Sequence, residues 1–186
     1  MKKHIVTSLL YTAIMAVVLG LGYPLAITAL AHIAFATKAN GQLLYNAQGE
    51  LVGSALIGQP FTGDKYFHSR PSAAGTGYDA SSSSGSNLGP TSKALSDRVQ
   101  QSAEAEKRAQ VPIDLVTTSA SGLDPDITPA AALFQVPRIA KARGLREDSL
   151  RVLVIKAISP RQFAILGEPR VNVLMLNRDL DLGAAH

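Results

Sequence analysis

The sequence of 186 residues contains no cysteine and no tryptophan, and aromatic residues make up only 5% of it. The absence of cysteine excludes disulfides, thiolate catalysis and cysteine-ligated zinc, because each of these needs a thiol. It leaves the compartment open, since exported domains also occur without cysteine. The scarcity of aromatic side chains removes the platforms on which nucleic-acid bases stack.

Charge is also sparse and nearly balanced. The formal net charge is +4, but residues 38–186 carry 16 basic against 14 acidic side chains. Proteins that bind nucleic acid present a concentrated excess of positive charge to the phosphate backbone. We therefore expect no nucleic-acid partner.

One apolar run dominates the amino-terminal region. Between Lys3 and Lys38 there is no charged side chain, and 23 of the 31 residues in 5–35 are hydrophobic. At about 1.5 Å per residue, a helix of this length exceeds a hydrocarbon core of about 30 Å. We interpret 5–35 as an uncleaved transmembrane helix. A cleaved signal sequence is the alternative, because the small residues around 34–36 also suit a cleavage site.

The orientation follows from the lysines that flank the run. Lys2 and Lys3 precede it, whereas only Lys38 follows it before Glu50. Because positive charge is retained on the cytoplasmic side, we place residues 1–4 in the cytoplasm. Residues 36–186 then form an extracytoplasmic domain, which lies in the periplasm if the membrane is a bacterial inner membrane.

Small residues and a proline interrupt the apolar run. Gly20 and Gly22 let a neighbouring helix approach closely, and Tyr23-Pro24 frees a backbone carbonyl that a neighbour can compensate. These four residues predict packing against another membrane helix. The alternative is that Gly and Pro are simply common in membrane helices.

The pattern of residues 36–186 predicts an α+β fold, in which one extramembrane domain of mixed α/β structure follows the single transmembrane helix. Residues 62–92 hold eleven Ser or Thr and two Pro, which indicates a long loop. Pro137 is expected to break or kink the helix in which it falls. The predicted elements are a hairpin of 42–46 and 50–57, helices over 93–110, from Thr128 and from Asp148, and strands over 111–118 and 171–177.

Few residues in the sequence suggest catalysis or ligand binding. No phosphate-binding P-loop motif occurs, although the Gly/Ser loop at 83–90 could offer backbone amides to a phosphate. For a hydrolytic triad, His68, Asp79 and any of many serines could be invoked, but the sequence lacks the full Gly-x-Ser-x-Gly motif. Asp124 and Asp126 lack a third ligand at calcium-loop spacing and suit a helix-entry turn instead.

The segment 138–161 concentrates positive charge, with seven Lys or Arg against two acidic residues. It is either a solvated helix face or a surface that docks on anionic lipid headgroups or an acidic partner. The candidate basic face comprises Arg138, Lys141, Arg143 and Arg146.

Five separated segments of the chain resemble the C subunit of the Kdp potassium-transporting ATPase; they are 56–59, 66–72, 85–90, 116–126 and 135–138. The resemblance implies a non-catalytic accessory subunit of a bacterial inner-membrane complex that imports K⁺ at high affinity. It implies two partners, a channel-like K⁺-translocating subunit and a P-type ATPase subunit. It also implies a catalytic-chaperone role that raises the ATP affinity of the ATPase subunit. No catalytic residue and no metal site are expected in this chain, and ATP is the only small ligand that the resemblance suggests.

On this resemblance, the partner or ligand loop comprises Tyr66, Phe67, His68, Arg70, Ser83, Gly85, Ser86, Asn87 and Gly89. The chain departs from the family pattern at Ser84, where Gly is usual, and at Ser92, where Asn is usual. If position 84 needs a positive φ, Ser84 is strained. A periplasmic domain cannot touch cytoplasmic ATP, so an effect on ATP affinity would have to pass through other subunits. Direct ATP binding by the Gly/Ser loop and, less favoured, an anchored exported hydrolase are the alternatives.

Overall fold

The computed structural model describes residues 1–46, 48–106 and 110–183. It divides into two compact units, Met1–Ser54 and Ala55–His186. The first holds a long apolar helix and a hairpin, and the second holds helices and a small sheet. The predicted α+β class is therefore confirmed.

The apolar region is helical from Lys2 to Ala39, apart from a kink at Phe35, which has φ −142 and ψ 46. The stretch is long and apolar enough to cross a membrane, and its most apolar 18-residue window has a mean hydropathy of 2.1. It consists of α1 (Lys2–Val17), a π-helical turn (Val18–Gly22) and α2 (Tyr23–Ala39). In the π turn the N–H of Tyr23 donates to the carbonyl of Val18. The wider turn precedes Pro24, whose ring would crowd the carbonyl four residues earlier in a regular α-helix. The predicted glycine–proline interruption thus lies at a local change of helix type.

The predicted hairpin is confirmed, although its second strand is shorter than expected. β1 (Leu43–Tyr45) pairs antiparallel with β2 (Leu51–Ser54). The Asn46 side chain organises the connection, because its Oδ1 accepts from Gln48 N–H at 3.0 Å and from Glu50 N–H at 2.8 Å. An Asn side chain that bonds the backbone in this way is typical of tight turns. Residue 47 lies outside the described residues.

The second unit contains a three-stranded antiparallel sheet with α-helices. The strands are β3 (Asp126–Ile127), β4 (Ile158–Ser159) and β5 (Arg170–Asn172), and β5 is central. The helices are α3 (Lys93–Ala105), α4 (Pro129–Arg143), α5 (Glu147–Lys156) and α6 (Val173–Gly183). Thr128 caps α4 as expected, since its hydroxyl accepts from the N–H of Ala131 at 3.2 Å. Gly144 ends the helix in the left-handed conformation, with φ +67.

The core of this unit lies between α4, α5, α6 and the sheet. Its largest fully buried apolar side chains are Phe67, Val136, Ile139, Leu150, Val154, Val171, Val173, Leu176 and Leu180. Phe67 is the loop residue of this set, so burial of its ring fastens the long loop to the helices. Burying a side chain of this size stabilises the fold by about 1.5–3 kcal/mol.

One predicted strand is wrong, and another is shorter than expected. Within 111–118 the structure has a short 3₁₀ turn at Ile113–Leu115. The strand predicted over 171–177 ends at Asn172, and α6 begins at Val173. An apolar run of this length suits both structures. Val173, Leu176 and Leu180 are buried and lie three and four residues apart, which is the spacing of one face of a helix.

Two other predictions about helices change. Pro137 does not break its helix, because α4 continues from Pro129 to Arg143. An interior proline costs a helix about 3 kcal/mol, and the buried Val136, Ile139 and Ala140 around it supply packing that offsets this cost. The helix predicted over 93–110 ends at Ala105, and residues 107–109 lie outside the described part of the chain.

Candidate functional site

The predicted loop segment beginning at Tyr66 is held by two amide side chains. Asn177 on α6 accepts from Phe67 N–H at 2.9 Å and donates to the Phe67 carbonyl at 2.9 Å. Gln135 on α4 accepts from His68 N–H at 2.7 Å and donates to the His68 carbonyl at 3.1 Å. A carboxamide carries both a donor and an acceptor, so each side chain replaces one residue of a neighbouring strand. The two helices thereby fix the backbone at positions 67 and 68.

Arg138 fastens the preceding part of the loop. Its guanidinium donates to the carbonyls of Gly63 at 3.2 Å and Tyr66 at 3.0 Å, and to Gln135 Oε1 at 2.8 Å. Asp64 lies 3.8 Å away as an exposed ion-pair partner. Burial lowers the pKa of Arg138, while the carboxylates of Glu106 and Asp64 oppose the shift. An arginine stays charged under such a shift, so this contact is cationic.

His68 is half-buried beside Arg138. Its Nε2 lies 2.9 Å from the Gly63 carbonyl, so Nε2 carries the proton and donates it. Burial lowers the pKa of His68; the bond to Gly63 opposes this, and the nearby Arg138 charge lowers it further. With Lys141, Asp64 and Glu106, these two side chains line a groove of about 630 Å³ whose charges are mixed.

Arg143 joins the loop to the ends of α4 and α6. Its Nε donates to the Lys65 carbonyl at 2.7 Å, and its guanidinium pairs with Asp181 at 2.6 Å. The guanidinium also lies over the Tyr66 ring, 4.9 Å from its centroid. This residue is therefore a cross-link between three parts of the domain.

Arg70 fastens the next part of the loop to the segment before β3. It donates to the Thr118 carbonyl at 3.2 Å and lies 3.4 Å from Asp124 Oδ2. The Tyr78 hydroxyl donates to the Arg70 carbonyl at 2.6 Å. Burial raises the pKa of Tyr78, so the phenol remains a hydrogen-bond donor at neutral pH.

Gly122 is where three segments meet. The Ser72 hydroxyl donates to the Gly122 carbonyl at 2.6 Å. Gly122 has φ +67, and a Cβ there would lie 2.6 Å from the Ser84 carbonyl and 2.7 Å from the Ala74 nitrogen. Only glycine fits this approach without a shift of backbone.

The Gly/Ser loop packs on the same segment. Ser83 donates to the Ser121 carbonyl and Ser84 to the Ala73 carbonyl, both at 2.9 Å. A Cβ at Gly85 would lie 2.9 Å from the Ala120 carbonyl. The loop is thus a layer of the domain in which these two hydroxyls already have protein acceptors. We name the surface formed by 66–74, 83–89 and 117–124 the loop layer.

The other residues predicted for this loop are peripheral. Ser86 is partly buried, while Asn87 and Gly89 are exposed. Asn87 adopts a positive φ of 52, a conformation that Asn tolerates better than most residues. Among the residues predicted for the partner or ligand loop, Phe67 is the least accessible to a partner, because its ring is fully buried in the core.

The condition for strain at Ser84, a positive φ, is not met in the structure. Ser84 is not among the described non-glycine residues with positive φ. Its hydroxyl instead adds the bond to Ala73 that a glycine could not make. Ser92 lies at the N-cap of α3 with φ −73.

The four residues of the candidate basic face separate into two pairs. Arg138 and Arg143 turn inward, and their side chains are 23% and 12% exposed. Lys141 and Arg146 are exposed, and Arg146 lies 3.7 Å from Asp148. Half of the positive charge therefore serves the loop rather than a free surface.

The residues suggested for a triad have separate partners in the described structure. Asp79 accepts from the Ser81 hydroxyl at 2.6 Å and from the Ser81 N–H at 2.9 Å, which lowers the pKa of Asp79. His68 instead contacts Gly63 and Arg138. Among the described residues, no group of three or more His, Asp or Glu is placed to hold a metal ion.

These observations define a class: a small α+β domain, joined to an apolar helix, whose polar loop is held in place by side chains from α4 and α6. Comparison with known proteins agrees. The family model described as K⁺-transporting ATPase, c chain, matches residues 5–182. The chain belongs to this family.

Relatives of nearly the same length support this. A Potassium-transporting ATPase KdpC subunit from Koribacter versatilis is 57% identical over 97% of this chain and 95% of its own length. One from Acidobacterium capsulatum is 59% identical over 96% of this chain and 98% of its own length. One from Caulobacter vibrioides is 50% identical over 97% and 94%. The family is that of a subunit of the ATPase complex rather than of the catalytic ATPase itself.

Sequence reasoning missed the residues that organise the loop: Gln135, Asn177, Ser72 and Gly122. A signal existed for two of them. Gln135 and Asn177 each stand among apolar residues, in Leu-Phe-Gln-Val and Leu-Met-Leu-Asn. A buried amide needs partners, so such residues point to an unpaired backbone segment nearby.

Proposed function

We propose that this chain is a membrane-anchored accessory subunit that stabilises assembly of a channel-like K⁺-translocating subunit with a P-type ATPase subunit. The single observation that carries this is the loop layer. Its backbone is fixed by side chains from α4 and α6, and its hydroxyls bond to the protein itself. A preorganised surface of this kind lowers the ordering cost of binding another protein.

The membrane helix supplies the first test. A Cβ at Gly20 would meet nothing within 4 Å, and one at Gly22 would meet only the Val17 carbonyl at 3.8 Å. Leucines at both positions should therefore leave the chain itself intact and block close approach of a neighbouring helix. We expect Gly20→Leu with Gly22→Leu to reduce co-purification with both partners relative to the parent chain. Recovery of both partners equal to that with the parent chain would contradict the proposed contact.

We propose the orientation with residues 1–4 in the cytoplasm, the span at 5–35 in the inner membrane and 36–186 in the periplasm. Because the chain has no cysteine, one introduced thiol reports on location without background. Ser82→Cys, in an exposed loop, should react with a membrane-impermeant maleimide on intact cells, whereas His4→Cys should react only after lysis. The reverse pattern would place the domain in the cytoplasm.

The proposed effect on ATP affinity is indirect in this orientation, and the chaperone role would pass through the other subunits as a coupling free energy. Direct ATP binding is the second candidate, motivated by the Gly/Ser sequence at 83–90. Titration calorimetry of the full chain in detergent distinguishes the two. We expect no heat from ATP with the isolated chain, and a weaker apparent ATP affinity in a complex that lacks it. Saturable heat with the isolated chain would favour direct binding.

A further inference from the structure

The turn between β4 and β5 exposes three large apolar side chains. Phe163 is 87% exposed, Ile165 74% and Leu166 55%. They lie on a turn closed by reciprocal bonds between Gln162 and Leu166, each 2.9 Å long. Isolated exposed apolar residues are ordinary, but three on one turn mark a contact with an apolar surface.

The backbone of this turn is unfavourable for its sequence. Phe163 has φ 51 and Ala164 has φ 63, and the N–H of Ile165 donates to the Gln162 carbonyl at 3.2 Å. Two consecutive left-handed residues form a type I′ turn, for which Asn-Gly is preferred. The chain therefore holds Phe and Ala in a conformation that neither favours, and strain of this kind concentrates at functional positions.

Basic side chains flank the turn, although most of them have acidic partners. Residues 151–170 contain four Lys or Arg and a single Glu. Arg161 pairs with Glu168 at 2.6 Å, which ties the two arms of the turn together below its apolar tip. Arg170 pairs with Asp126 at 3.0 Å and Arg151 pairs with Glu147 at 3.5 Å, whereas Lys156 is exposed on α5, the helix that leads into β4. Arginine and lysine side chains beside an apolar tip suit a bilayer interface, where their charged ends reach anionic headgroups.

We propose that the β4–β5 turn inserts Phe163, Ile165 and Leu166 into the interfacial region of the lipid bilayer. The covalent connection to an apolar helix keeps the turn at high effective concentration near that bilayer. Aromatic and aliphatic side chains enter the headgroup–acyl boundary, while Lys and Arg beside them attract anionic headgroups. The turn would thus be a second membrane contact of the chain, whichever side of the membrane the domain occupies.

The chain has no tryptophan, so Phe163→Trp creates a single reporter at the tip. The matched control is Leu182→Trp, an exposed apolar position near the end of α6. Both full-length variants are reconstituted in vesicles of zwitterionic and anionic lipid brominated in the upper acyl chain. We expect blue-shifted emission at position 163 and quenching at least about twofold stronger than at position 182. Replacing the anionic lipid should weaken that quenching, as should Ile165→Glu with Leu166→Glu in the Phe163→Trp background.

Equal quenching at the two positions, or none at either, would overturn the proposal. The same measurement on the assembled complex addresses a protein partner. If the emission of the Phe163→Trp reporter shifts to the blue only when the other subunits are present, and brominated lipid does not quench it, the tip binds a protein surface and the lipid proposal fails. Unchanged circular dichroism of the Glu variants shows that loss of quenching is not loss of fold.

Discussion

Asn177 and Phe67, which are 110 positions apart, exchange two hydrogen bonds, because the Asn177 carboxamide accepts from Phe67 N–H and donates to the Phe67 carbonyl, each at 2.9 Å. Both residues are buried, so Asn177→Leu would leave a backbone donor and acceptor unpaired away from water. We expect the free energy of unfolding to fall by about 2–4 kcal/mol. Urea denaturation of the full chain in detergent measures this. Gln101→Ala on the exposed face of α3 is the control and should change stability by less than about 0.5 kcal/mol.

Gly122 gives a second prediction, on the loop layer. In Gly122→Ala the new Cβ would have to displace the Ser84 carbonyl or the Ala74 nitrogen, which lie 2.6 and 2.7 Å from its ideal position. Overpacking of this kind costs about 1–3 kcal/mol, and the left-handed backbone adds about 1 kcal/mol. Gly89→Ala, where a Cβ would meet nothing within 4 Å, should be nearly neutral. Equal unfolding midpoints for the two variants would contradict the packing of the Gly/Ser loop on 119–122.

The pH dependence of stability should carry a contribution from His68. Burial is the largest cause that lowers the pKa of His68 below 6.5 in the folded protein. The unfolded chain therefore binds the proton first, and stability is lost as the pH falls from about 6.5 toward the folded-state pKa. We expect a lower urea midpoint at pH 5.5 than at pH 7.5, and His68→Gln should reduce that difference. A His68→Gln variant with the same pH difference as the parent would show that other groups cause it.

Asp126 contributes with the opposite sign, at lower pH. Burial raises the pKa of Asp126 above 3.8, against the pull of Arg170. The protonated acid is therefore favoured in the folded protein, and this contribution to stability is lost as the pH rises from about 3.8 through the folded-state pKa. Asp126→Asn should remove this slope and leave the His68 window unchanged. A titration followed by NMR would contradict the assignment if Asp126 ionised at or below its ordinary pKa.

Relieving the backbone strain in the β4–β5 turn should stabilise the folded chain. Phe163→Asn with Ala164→Gly keeps the left-handed φ values and supplies residues that tolerate them. We expect unfolding of the isolated chain to become less favourable by about 1–2 kcal/mol. The proposed bilayer contact should weaken at the same time, because the aromatic side chain is gone. Unchanged or reduced stability would show that the turn is not strained.

Local pattern was sufficient for much of the fold. The apolar run without charge predicted the long helix, Thr128-Pro129 predicted the start of α4, and the Gly-containing stretch between Asn46 and Glu50 predicted a hairpin turn. Each of these depends on residues close together in the chain. The family segments also lie in a fixed order along the chain, so membership could be inferred before any coordinate was known.

Predictions from local sequence patterns were wrong where contacts between distant residues determine the secondary structure. The apolar run 171–177 is compatible with a strand or a helix. Burial of Leu176 and Leu180 in the core favours the helix. Pro137 remains in a helix because the residues beside it are buried on the core side. Propensity carries no information on such packing, so these features required the tertiary structure.

The sequence by itself determined the apolar helix, the α+β class, the family and the absence of thiol chemistry, because these depend on composition and on neighbours in the chain. Only the tertiary structure decided what the polar residues do. From the sequence, Arg138 and Arg143 were predicted to be half of a basic face. In the structure their guanidinium groups donate hydrogen bonds to loop carbonyls. Gln135 and Asn177 act as substitutes for a strand, and Gly122 admits the close approach of the Gly/Ser loop. The reason is that a buried polar group must find its partner wherever the fold brings one, and that partner is usually distant in sequence.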